Sequence, residues 1–534
     1  MSNTIGFTNF RRFISFPEME LGDITILVGG NNAGKSTLVK AMLLMRDFIK
    51  NRIESVATTS NLFKSFVPDF SFDTEHVNVG DFYRAFCRQS PRQEDEISFT
   101  MKIDKFRFIV KIRGERKPGI IPLVSMIAVS DEERNISFTF DFTKGQMTAE
   151  FAYDRETRSV ALNDEKFLYG VIQNLKKELS NSKNLDEIAN LKLEIEKYEK
   201  AYDSATSQLY IAFSHTITID MSSFVGDNIG NLVIPELING FINYAETGTL
   251  GDKRSKVYKD EEANKNLLRG KVSVIKAFSE EVGNVINRQT IEYIYAHSVS
   301  QTPFYANCAA SSDYTKRTIH EFYNSRISSG DEEYIMIEEW LSQLKIGKSL
   351  KVIPYNGDNY RIVVFDNDNP EISGEKRKGY PGGIDLADKG MGTIQLVMLL
   401  LRLATLIRKF KGQQLTILLE EPEQNLHPAL QSKLADLVYS LNKGFGINFV
   451  IETHSEYLIR KSQVIVADCD FKDEDQLNSQ NPFRVFYIPS DDTSPYEMIY
   501  TRSGRFVNKF GEGFFDEAGK SNLITLRKEK EIKP

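Results

Sequence analysis

The chain has 534 residues, of which 41% are hydrophobic and 26% charged, which is ordinary for a globular protein and excludes a wholly disordered one. Its formal net charge is −7, so any contact with nucleic acid must come from local patches rather than from the whole molecule. The three cysteines, Cys87, Cys308 and Cys469, form no CxxC pair, which argues against a zinc site or a disulfide framework. The chain opens without a signal-peptide pattern, and its longest apolar run, 11 residues with one arginine, is too short to span a bilayer. We therefore expect a cytoplasmic protein.

A glycine-rich segment near the start, ITILVGGNNAGKST, is the first chemical signal. A short β-rich run is followed by residues that fit the P-loop pattern GxxxxGK[ST], and then by a segment with helical spacing. In such a loop backbone N–H groups cradle phosphate oxygens, Lys35 would reach the β- and γ-phosphates of ATP, and Ser36 would bind Mg²⁺. The predicted nucleotide-binding residues here are Gly29, Gly30, Asn31, Asn32, Ala33, Gly34, Lys35, Ser36 and Thr37.

Two adjacent carboxylates end a second apolar run, in TILLEEPEQNLHP. The run is typical of a buried parallel strand, and polar side chains at the carboxyl end of such a strand point into the crevice where open α/β sheets bind ligands. A P-loop ATPase needs an acidic residue near its Mg²⁺ shell and a group that orients the attacking water. We predict Glu420 for the first role, with contact to the metal through water, and Glu421 for the second.

A third apolar run, in INFVIETHSEYLI, ends in the polar residues Glu452, Thr453, His454 and Ser455. The segment between the second and third runs has the pattern of an amphipathic helix, so the three segments predict a βαβ unit. A lone histidine is more often structural than catalytic. At the end of a core strand beyond the carboxylates, however, the His454 imidazole could contact the γ-phosphate, and we predict it as a catalytic residue together with Glu421 and Lys35.

The segment DKGMGTIQ precedes a long apolar helix just upstream of the carboxylates. Gly390 and Gly392 lie where this helix begins, and Thr393 lies in its first turn. A helix N-terminus with free N–H groups can bind an anion. An ordinary turn before a core helix is the alternative interpretation.

Taken in order, these elements resemble the ATP-binding-cassette heads of the SMC, RecF and OLD (overcoming lysogenization defect) type. In this resemblance DKGMGTIQ is a variant of the LSGGQ signature and QNLH is the D-loop equivalent, while Thr393 replaces the usual serine and Glu420 the usual aspartate. The forms EEPEQNLHP and ETHSEYLI, and the tail RSGRFVNKFGEGFFDEA, resemble the OLD-like ATPases of bacterial defence systems. Those include the PtuA subunit of Septu systems and of retrons that carry a Septu-like effector.

The resemblance implies ATP and Mg²⁺ as cofactors and a homodimer or higher oligomer, in which two heads hold two ATP molecules between them. Gly390, Gly392 and Thr393 would then act on the ATP bound by the partner's P-loop. It also implies an ATPase subunit that regulates a separate HNH-type effector nuclease (PtuB-like) in antiphage defence, with a reverse transcriptase and its multicopy DNA, or another nucleic acid, as further partners and no membrane. The alternative is a RecF- or SMC-like ATPase of DNA repair or chromosome maintenance that binds DNA directly.

The fold class predicted is α/β, an ABC-type P-loop head with a mixed sheet, an antiparallel β-lobe and an inserted helical domain. Alternating segments between residues 96 and 154 predict the β-lobe, and a 3,4 apolar spacing predicts a coiled-coil hairpin near 165–208. The predicted domains are residues 1–160 and 346–534, the two halves of the ATPase head, and residues 161–345, the helical insertion.

The segment QVIVADCDFKDED offers a second acidic motif, with Asp468 and Asp470 in the D-x-D spacing of Toprim nucleases. A glutamate-bearing strand ahead of it, which such a site needs, is not evident. We interpret the segment as a final sheet strand followed by an acidic loop, and predict no intrinsic nuclease. Two basic segments, at 113–119 and 374–383, could touch phosphates, although charged loops are usually just solvated.

Overall fold

The computed structural model describes residues 3–50, 53–54, 68–91, 95–151, 155–181, 185–211, 215–220, 231–247, 256–295, 305–306, 314–355, 359–366, 383–491 and 493–511. These residues form two compact units. The first contains Asn3–Glu18 and Leu44–Asn287, and the second contains Met19–Leu43 and the described residues from Arg288 onward. The three-domain division at residues 160 and 345 is a different partition of the chain, and it stays a prediction.

A sheet is the framework of the first unit. Its strands are β1 (Asn3–Phe10), β2 (Phe13–Leu21), β5 (Glu96–Ile103), β6 (Phe106–Arg113), β7 (Leu123–Asp131), β8 (Ile136–Asp141), β9 (Gln146–Phe151) and β10 (His215–Asp220). Over the described residues the strand order is β10-β9-β8-β7-β6-β5-β1-β2, and every pair from β10 to β1 is antiparallel. Every second residue of β6 is buried, as the alternating sequence predicts, so one face of the sheet lies in a core.

Helices complete the first unit, with a short strand pair of β4 (Ile53–Glu54) and β11 (Asn231–Leu232). The helices are α2 (Phe82–Ala85), α3 (Arg155–Asn181), α4 (Leu185–Ile211), α5 (Ile234–Thr247) and α6 (Lys256–Arg288). Phe278 of α6 packs against Phe106 and Phe138 of the sheet, at ring-centroid distances of 5.2 and 4.9 Å. Helices α3 and α4 lie side by side where the heptad-like spacing predicts a hairpin, and the Tyr202 hydroxyl donates to Glu165 at 3.3 Å.

The second unit is built on a mostly parallel sheet. Its strands are β3 (Ile24–Gly29), β12 (Gln289–Ile294), β17 (Gln414–Glu420), β18 (Asn448–Glu452), β19 (Phe483–Ile488) and β20 (Tyr496–Met498). Over the described residues the order is β12-β17-β18-β3-β19-β20, parallel from β12 to β19, with β20 antiparallel at the edge. The apolar runs that the sequence predicts as buried strands are β3, β17 and β18, and they are adjacent.

Helices and a smaller sheet surround this parallel sheet. The helices are α1 (Lys35–Lys50), α7 (Tyr314–Asn324), α8 (Glu332–Gln343), α9 (Met391–Lys409), α10 (Pro428–Phe445), α11 (Glu456–Asp468) and α12 (Glu474–Gln480), and residues Leu386–Asp388 form a 3₁₀ turn. The smaller sheet contains β13 (Tyr305–Ala306), β14 (Ser349–Tyr355), β15 (Asn359–Phe365) and β16 (Gly383–Asp385). Strand β2 and helix α1 both run across the boundary between the two units.

Helix α9 is the central helix of the second unit. Its residues from Ile394 to Ile407 are buried on every side, as expected of a helix inside a core. By length and composition it is the one helix among the described residues that could cross a membrane, but 78% of the apolar window lies buried inside the protein. Such burial is typical of a core helix.

One predicted strand is wrong. The segment containing Asp468 belongs to helix α11, whose N-cap Ser455 accepts a hydrogen bond from the Leu458 N–H at 3.2 Å. The run of β-branched residues in QVIVAD suggests a strand, but Ile465 and Val466 are buried on one face of the helix, where packing outweighs local propensity. The fold class itself is confirmed: the protein is α/β, with a P-loop in a parallel sheet and a separate antiparallel sheet.

Candidate nucleotide site of the second unit

The predicted P-loop connects β3 to α1 through a turn that its glycines make possible. Gly29 has φ +156°, and a Cβ there would lie 2.2 Å from the Ile488 carbonyl oxygen. Gly34 has φ +102° and Asn32 φ +61°, so the backbone twice enters conformations that glycine and asparagine tolerate best. The loop therefore wraps tightly between β3 and β19, as the pattern GxxxxGK[ST] requires.

Lys35 is turned into this loop and is 3% exposed. Its Nζ donates to the carbonyl oxygens of Gly29 and Gly30, both at 3.1 Å. Burial lowers the pKa of the ammonium, and the nearby charges of Glu452, Glu421 and Glu423 oppose that shift. Among the described residues its hydrogen bonds are to two neutral carbonyls, so this buried cation is well placed to bind an anion such as a phosphate.

The predicted catalytic carboxylates lie at the carboxyl edge of the same sheet. Strand pairing aligns Glu420, the last residue of β17, with Glu452, the last residue of β18. It also aligns Glu452 with Leu27 of the P-loop strand. The register of three parallel strands therefore brings the P-loop and the carboxylates to one edge, as the sequence predicts.

Glu421 follows β17 in a left-handed conformation with φ +42°. Its backbone N–H donates to the Glu452 carbonyl oxygen at 2.7 Å, which holds the turn against β18. Its carboxylate accepts a hydrogen bond from Gln424 and lies 3.4 Å from Nε2 of His454. Glu421 and His454, predicted separately from two strands, are therefore brought together.

A hydrogen bond from its backbone holds His454 in position. Its N–H donates to the buried Glu423 carboxylate at 2.7 Å, and burial raises the pKa of Glu423. Burial also lowers the pKa of the His454 imidazole, as does the charge of Lys35, and the Glu421 charge opposes this. The imidazole is therefore neutral at pH 7, a form that can donate one hydrogen bond and accept another.

Glu452 is a site residue for which no role is predicted from the sequence. It is 4% exposed, and its Oε1 accepts a hydrogen bond from the Ser36 hydroxyl at 2.8 Å. Among the described residues, its Oε2 is buried with no hydrogen-bond partner. Its pKa is raised to about 7, chiefly by burial and also by the charges of Glu420 and Glu421, while the Ser36 hydrogen bond and Lys35 act in the opposite direction. In the sequence, Glu452 could have been suspected because it ends a predicted core strand close to His454. Its contact with Ser36 becomes visible only from the register of β18 against the P-loop strand β3.

Ser36 and Glu420 are predicted to bind a magnesium ion, and the residues present at the site are suited to Mg²⁺. The Ser36 hydroxyl and the carboxylates of Glu420 and Glu452 are oxygen donors, as Mg²⁺ prefers, and Glu452 carries an unpartnered buried oxygen. Glu420 accepts a hydrogen bond from the Tyr293 hydroxyl, a contact that the sequence did not predict. No group of three or more His, Cys, Asp or Glu that could hold a metal by itself occurs within the described ranges, whereas Mg²⁺ at such sites is normally held with phosphates and waters.

The predicted signature residues lie at the start of α9. Gly390 is the N-cap, and the Thr393 N–H donates to its carbonyl oxygen at 2.9 Å. Gly392 packs so closely on the loop after β17 that a Cβ would lie 2.6 Å from the Asn425 carbonyl oxygen. Gln395 extends this contact, donating to Pro422 O at 3.2 Å and accepting from Asn425 at 3.3 Å. In the described part of the chain, Gly392 thus contacts the loop after β17, and no hydrogen bond joins either glycine to the P-loop of the same chain.

The D-x-D segment and the basic segment 113–119 differ in structure from what a nuclease site or a phosphate-binding loop would need. Asp468 is the last residue of α11 and Asp470 follows with φ +49°, so the D-x-D spacing does not lie at a strand end. In the basic segment 113–119, Arg116 lies over the Phe86 ring at 4.3 Å and pairs with Asp95 at 2.6 Å. The second basic segment, 374–383, lies outside the described residues except for its last one.

Comparison with known proteins identifies the family. The family model described as AAA_15, AAA ATPase domain, matches residues 1–459. The chain therefore belongs to this family of ATPases. No curated protein matches the sequence.

Several solved structures are similar to the chain, and three of them are Smc head domains. One, from Pyrococcus furiosus and bound to the C-terminal domain of ScpA, is 10% identical with a TM-score of 0.34, covering 98% of this chain and 99% of that one. Another, bound to the C-winged helix domain of ScpA, is 11% identical with a TM-score of 0.33, at 93% and 96% coverage. The third, from Pyrococcus yayanosii, has a coiled coil and joint and is 11% identical with a TM-score of 0.33, at 94% and 98% coverage. Because similarity at this level defines no function, the assignment rests on the family and on the sheet itself.

Proposed function

We propose that the protein binds ATP with Mg²⁺ at the edge formed by β3, β18 and β17, and hydrolyses it. Lys35 and the backbone of residues 29–37 would hold the phosphates, and Ser36 and Glu420 would hold the metal. Glu421 would orient the attacking water, and His454 would contact the γ-phosphate. The observation that carries the proposal is the pairing of Glu421 with His454, 3.4 Å apart, at the same sheet edge as Lys35.

We further propose that hydrolysis requires two copies of the chain. Of the predicted signature residues Gly390, Gly392 and Thr393, Gly392 packs on the loop after β17. Within the described residues, no hydrogen bond joins any of the three to the P-loop of their own chain. A second copy, related by a two-fold axis, would bring its signature helix to this P-loop and receive the same in return. A homodimer that forms around ATP follows from this arrangement.

We propose, as the role of this ATPase, the regulation of a separate HNH-type nuclease in antiphage defence in the cytoplasm. The support is the resemblance of EEPEQNLHP and ETHSEYLI to the OLD-like ATPases of such systems. A second support is the position of the D-x-D motif at the end of helix α11 rather than at the end of a strand. The neutralised charges of the 113–119 segment give no separate support to direct DNA binding.

Affinity purification from the native host, with a pair of variants, tests this role. Glu421→Gln should keep ATP bound, whereas Lys35→Ala should bind none. An HNH nuclease recovered with Glu421→Gln but not with Lys35→Ala supports the defence role, whether or not a reverse transcriptase and its DNA accompany it. A lone homodimer that binds DNA only with ATP would instead establish the repair or chromosome-maintenance role.

A further inference from the structure

Glu452 occupies the position between the two halves of the site. Strand β18, which it ends, lies between the P-loop strand β3 and the carboxylate strand β17. The Glu452 carboxylate is buried, and its hydrogen bond to Ser36 joins residues that are 416 positions apart in the sequence. The predicted motif set gives no role to this residue.

The hydrogen bond has a direction that matters chemically. The Ser36 hydroxyl donates its proton to Glu452 at 2.8 Å. The oxygen lone pairs of Ser36 are then directed away from the carboxylate and remain available to a cation. A carboxylate that accepts from a metal-binding group fixes its orientation and increases its electron density, as outer-shell partners of metal ligands commonly do.

The second carboxylate oxygen adds an independent observation. Glu452 Oε2 is buried and, within the described residues, has no hydrogen-bond partner. Leaving a buried carboxylate oxygen unpaired is costly, so such an oxygen is expected to meet a donor in the functional state of the protein. Water bound to Mg²⁺ is a strong donor, because the cation withdraws electron density from it.

We propose that Glu452 is a positioning residue for the magnesium ion of this site, an inference that rests on the proposed ATP-binding function. Its Oε1 holds the Ser36 hydroxyl in the orientation that binds the cation, and its Oε2 accepts a hydrogen bond from the cation's water shell. Glu452 thereby acts on the metal in addition to the predicted pair Ser36 and Glu420.

The test measures metal affinity and not turnover. Mn²⁺ is titrated into the complex of the full-length protein with AMP-PNP, a non-hydrolysable ATP analogue, and its binding is followed by electron paramagnetic resonance. Glu452→Gln, which keeps the size of the side chain, should weaken Mn²⁺ binding by about 10- to 100-fold, the usual effect of removing an outer-shell partner. Affinity for AMP-PNP in EDTA should stay within about twofold of the wild type, since the phosphate cradle is intact.

Three further variants give the experiment its controls. Glu333→Gln alters another buried glutamate, which lies on α8 and pairs with Arg408 rather than with Ser36, and should leave Mn²⁺ affinity unchanged. In a Ser36→Ala background, Glu452→Gln should cause a much smaller additional loss, because much of its effect passes through the hydroxyl. Glu452→Asp, which keeps the charge but shortens the reach, should lie between wild type and Glu452→Gln, and it serves if the glutamine variant does not fold.

The outcomes separate this inference from the proposed function. Wild-type protein that fails to bind AMP-PNP with or without Mn²⁺ would refute ATP binding itself. Wild-type protein that binds the complex tightly while Glu452→Gln binds Mn²⁺ equally well would overturn only the role of Glu452. Equal losses from Glu452→Gln with and without Ser36 would also overturn it, as would a loss of AMP-PNP affinity in EDTA that matches the loss of Mn²⁺ affinity.

Discussion

Glu421 lies just beyond β17, where the backbone turns through a left-handed conformation against β18. Its carboxylate has Gln424 on one side and the neutral His454 imidazole on the other. We expect Glu421→Gln to lower the turnover of ATP by about 100- to 10,000-fold, because a glutamine can no longer accept a proton from the attacking water. Affinity for ATP should change little, because the contacts of Lys35 with the P-loop remain.

Phosphate release and equilibrium ATP binding, measured on the same preparations, check this prediction. The matched control is Glu456→Gln, an exposed glutamate of α11 whose ion pair with Arg460 lies on the helix surface. This control should hydrolyse ATP like the wild type. Turnover in Glu421→Gln at the rate of the control would refute the assignment of Glu421.

A second prediction at the residue scale concerns pH and the buried Glu452 carboxyl. Its folded-state pKa of about 7 lies above the ordinary value of 4.5, so the folded state binds the extra proton. The associated stability is fully present below about pH 4.5 and is lost as the pH rises through about 7. At pH 8, without nucleotide, Glu452→Gln should therefore be more stable than wild type by up to about 3 kcal/mol, a difference that vanishes near pH 4.

The charged groups that act on Glu452 in this comparison are Lys35, Glu420 and Glu421. Urea denaturation followed by the fluorescence of Trp340, the one tryptophan of the chain and a buried residue of α8, measures the difference. A stability difference between wild type and Glu452→Gln that does not change with pH would contradict the prediction.

The positions of residues in the site were predictable from the sequence where a motif carries its own spacing. Lys35 and Ser36 are placed by a single contiguous pattern, and Glu421 and His454 each follow an apolar run. The contact of Glu452 with Ser36 was not predictable in this way, because the two residues are 416 positions apart. Tyr293, which donates to Glu420, was likewise hidden, since no local pattern links β12 to β17.

Three elements of the second unit meet at the buried guanidinium of Arg402. This side chain of α9 is 6% exposed and pairs with Glu292 of β12 at 3.3 Å and with Glu321 of α7. Arg402→Met should lower the free energy of unfolding by about 3 kcal/mol, because the two glutamates keep their charges but lose the cation that compensates them. The loss should be smaller if Glu292 and Glu321 are changed to glutamine at the same time.

Urea denaturation with Trp340 fluorescence again provides the measurement. Lys411→Met is the control, since Lys411, just beyond the end of the same helix, pairs with Glu332 at 3.7 Å with both side chains largely exposed. Its replacement should cost less than about 1 kcal/mol, as for surface ion pairs. Similar losses for Arg402→Met and Lys411→Met would show that burial of the Arg402 cluster contributes nothing.

Prediction of whole elements succeeded where the periodicity was unambiguous. The continuous apolar runs of β3, β17 and β18 predict buried parallel strands, and the alternating β5 and β6 predict an antiparallel sheet. The segment QVIVAD has the composition of a strand but is helical, because its N-cap Ser455 and the core around Ile465 favour α11. The serine that caps this helix is visible in the sequence, but the strand prediction gave more weight to the run of β-branched residues.

At the scale of the whole molecule, the two-copy arrangement makes a prediction that a single-copy arrangement cannot satisfy. Lys35→Ala removes the P-loop lysine, and Thr393→Glu places a negative charge at the predicted signature. Each variant alone should be inactive. Mixed in equal amounts, they should recover about a quarter of the wild-type activity, because half of the dimers are mixed and one of the two sites in each mixed dimer is intact.

ATP hydrolysis by the two variants, alone and mixed, checks this prediction. A mixture of Lys35→Ala with the double variant Lys35→Ala/Thr393→Glu is the matched control, since no site in it has an intact P-loop. A mixture of the single variants that stays inactive would contradict hydrolysis between two copies. Full activity of Thr393→Glu alone would show that the start of α9 takes no part in the reaction.

The division of the chain into two units was not predictable from linear patterns. Residues Met19–Leu43 belong with the C-terminal part of the chain, although about 245 residues of the first unit separate them from Arg288. Such a grouping depends on strand pairing between β3 and the distant β18 and β19. Sequence resemblance predicted an ATPase, which the family match supports, but it could not show which residues pack together.

The central position of β18 has a consequence for how the protein can be switched. The Thr453 amide is bonded to Leu27 and the Glu421 amide to Glu452, so the P-loop strand and the carboxylate strand are each tied to β18 in the interior of the sheet. Opening these bonds requires unfolding the middle of the sheet, so their amide hydrogens should be among the slowest in the protein to exchange with solvent. A catalytic edge of this kind keeps its shape between turnovers. In the proposed mechanism, the timing of the cycle would then depend on groups added from outside that edge, namely nucleotide, metal and the second copy.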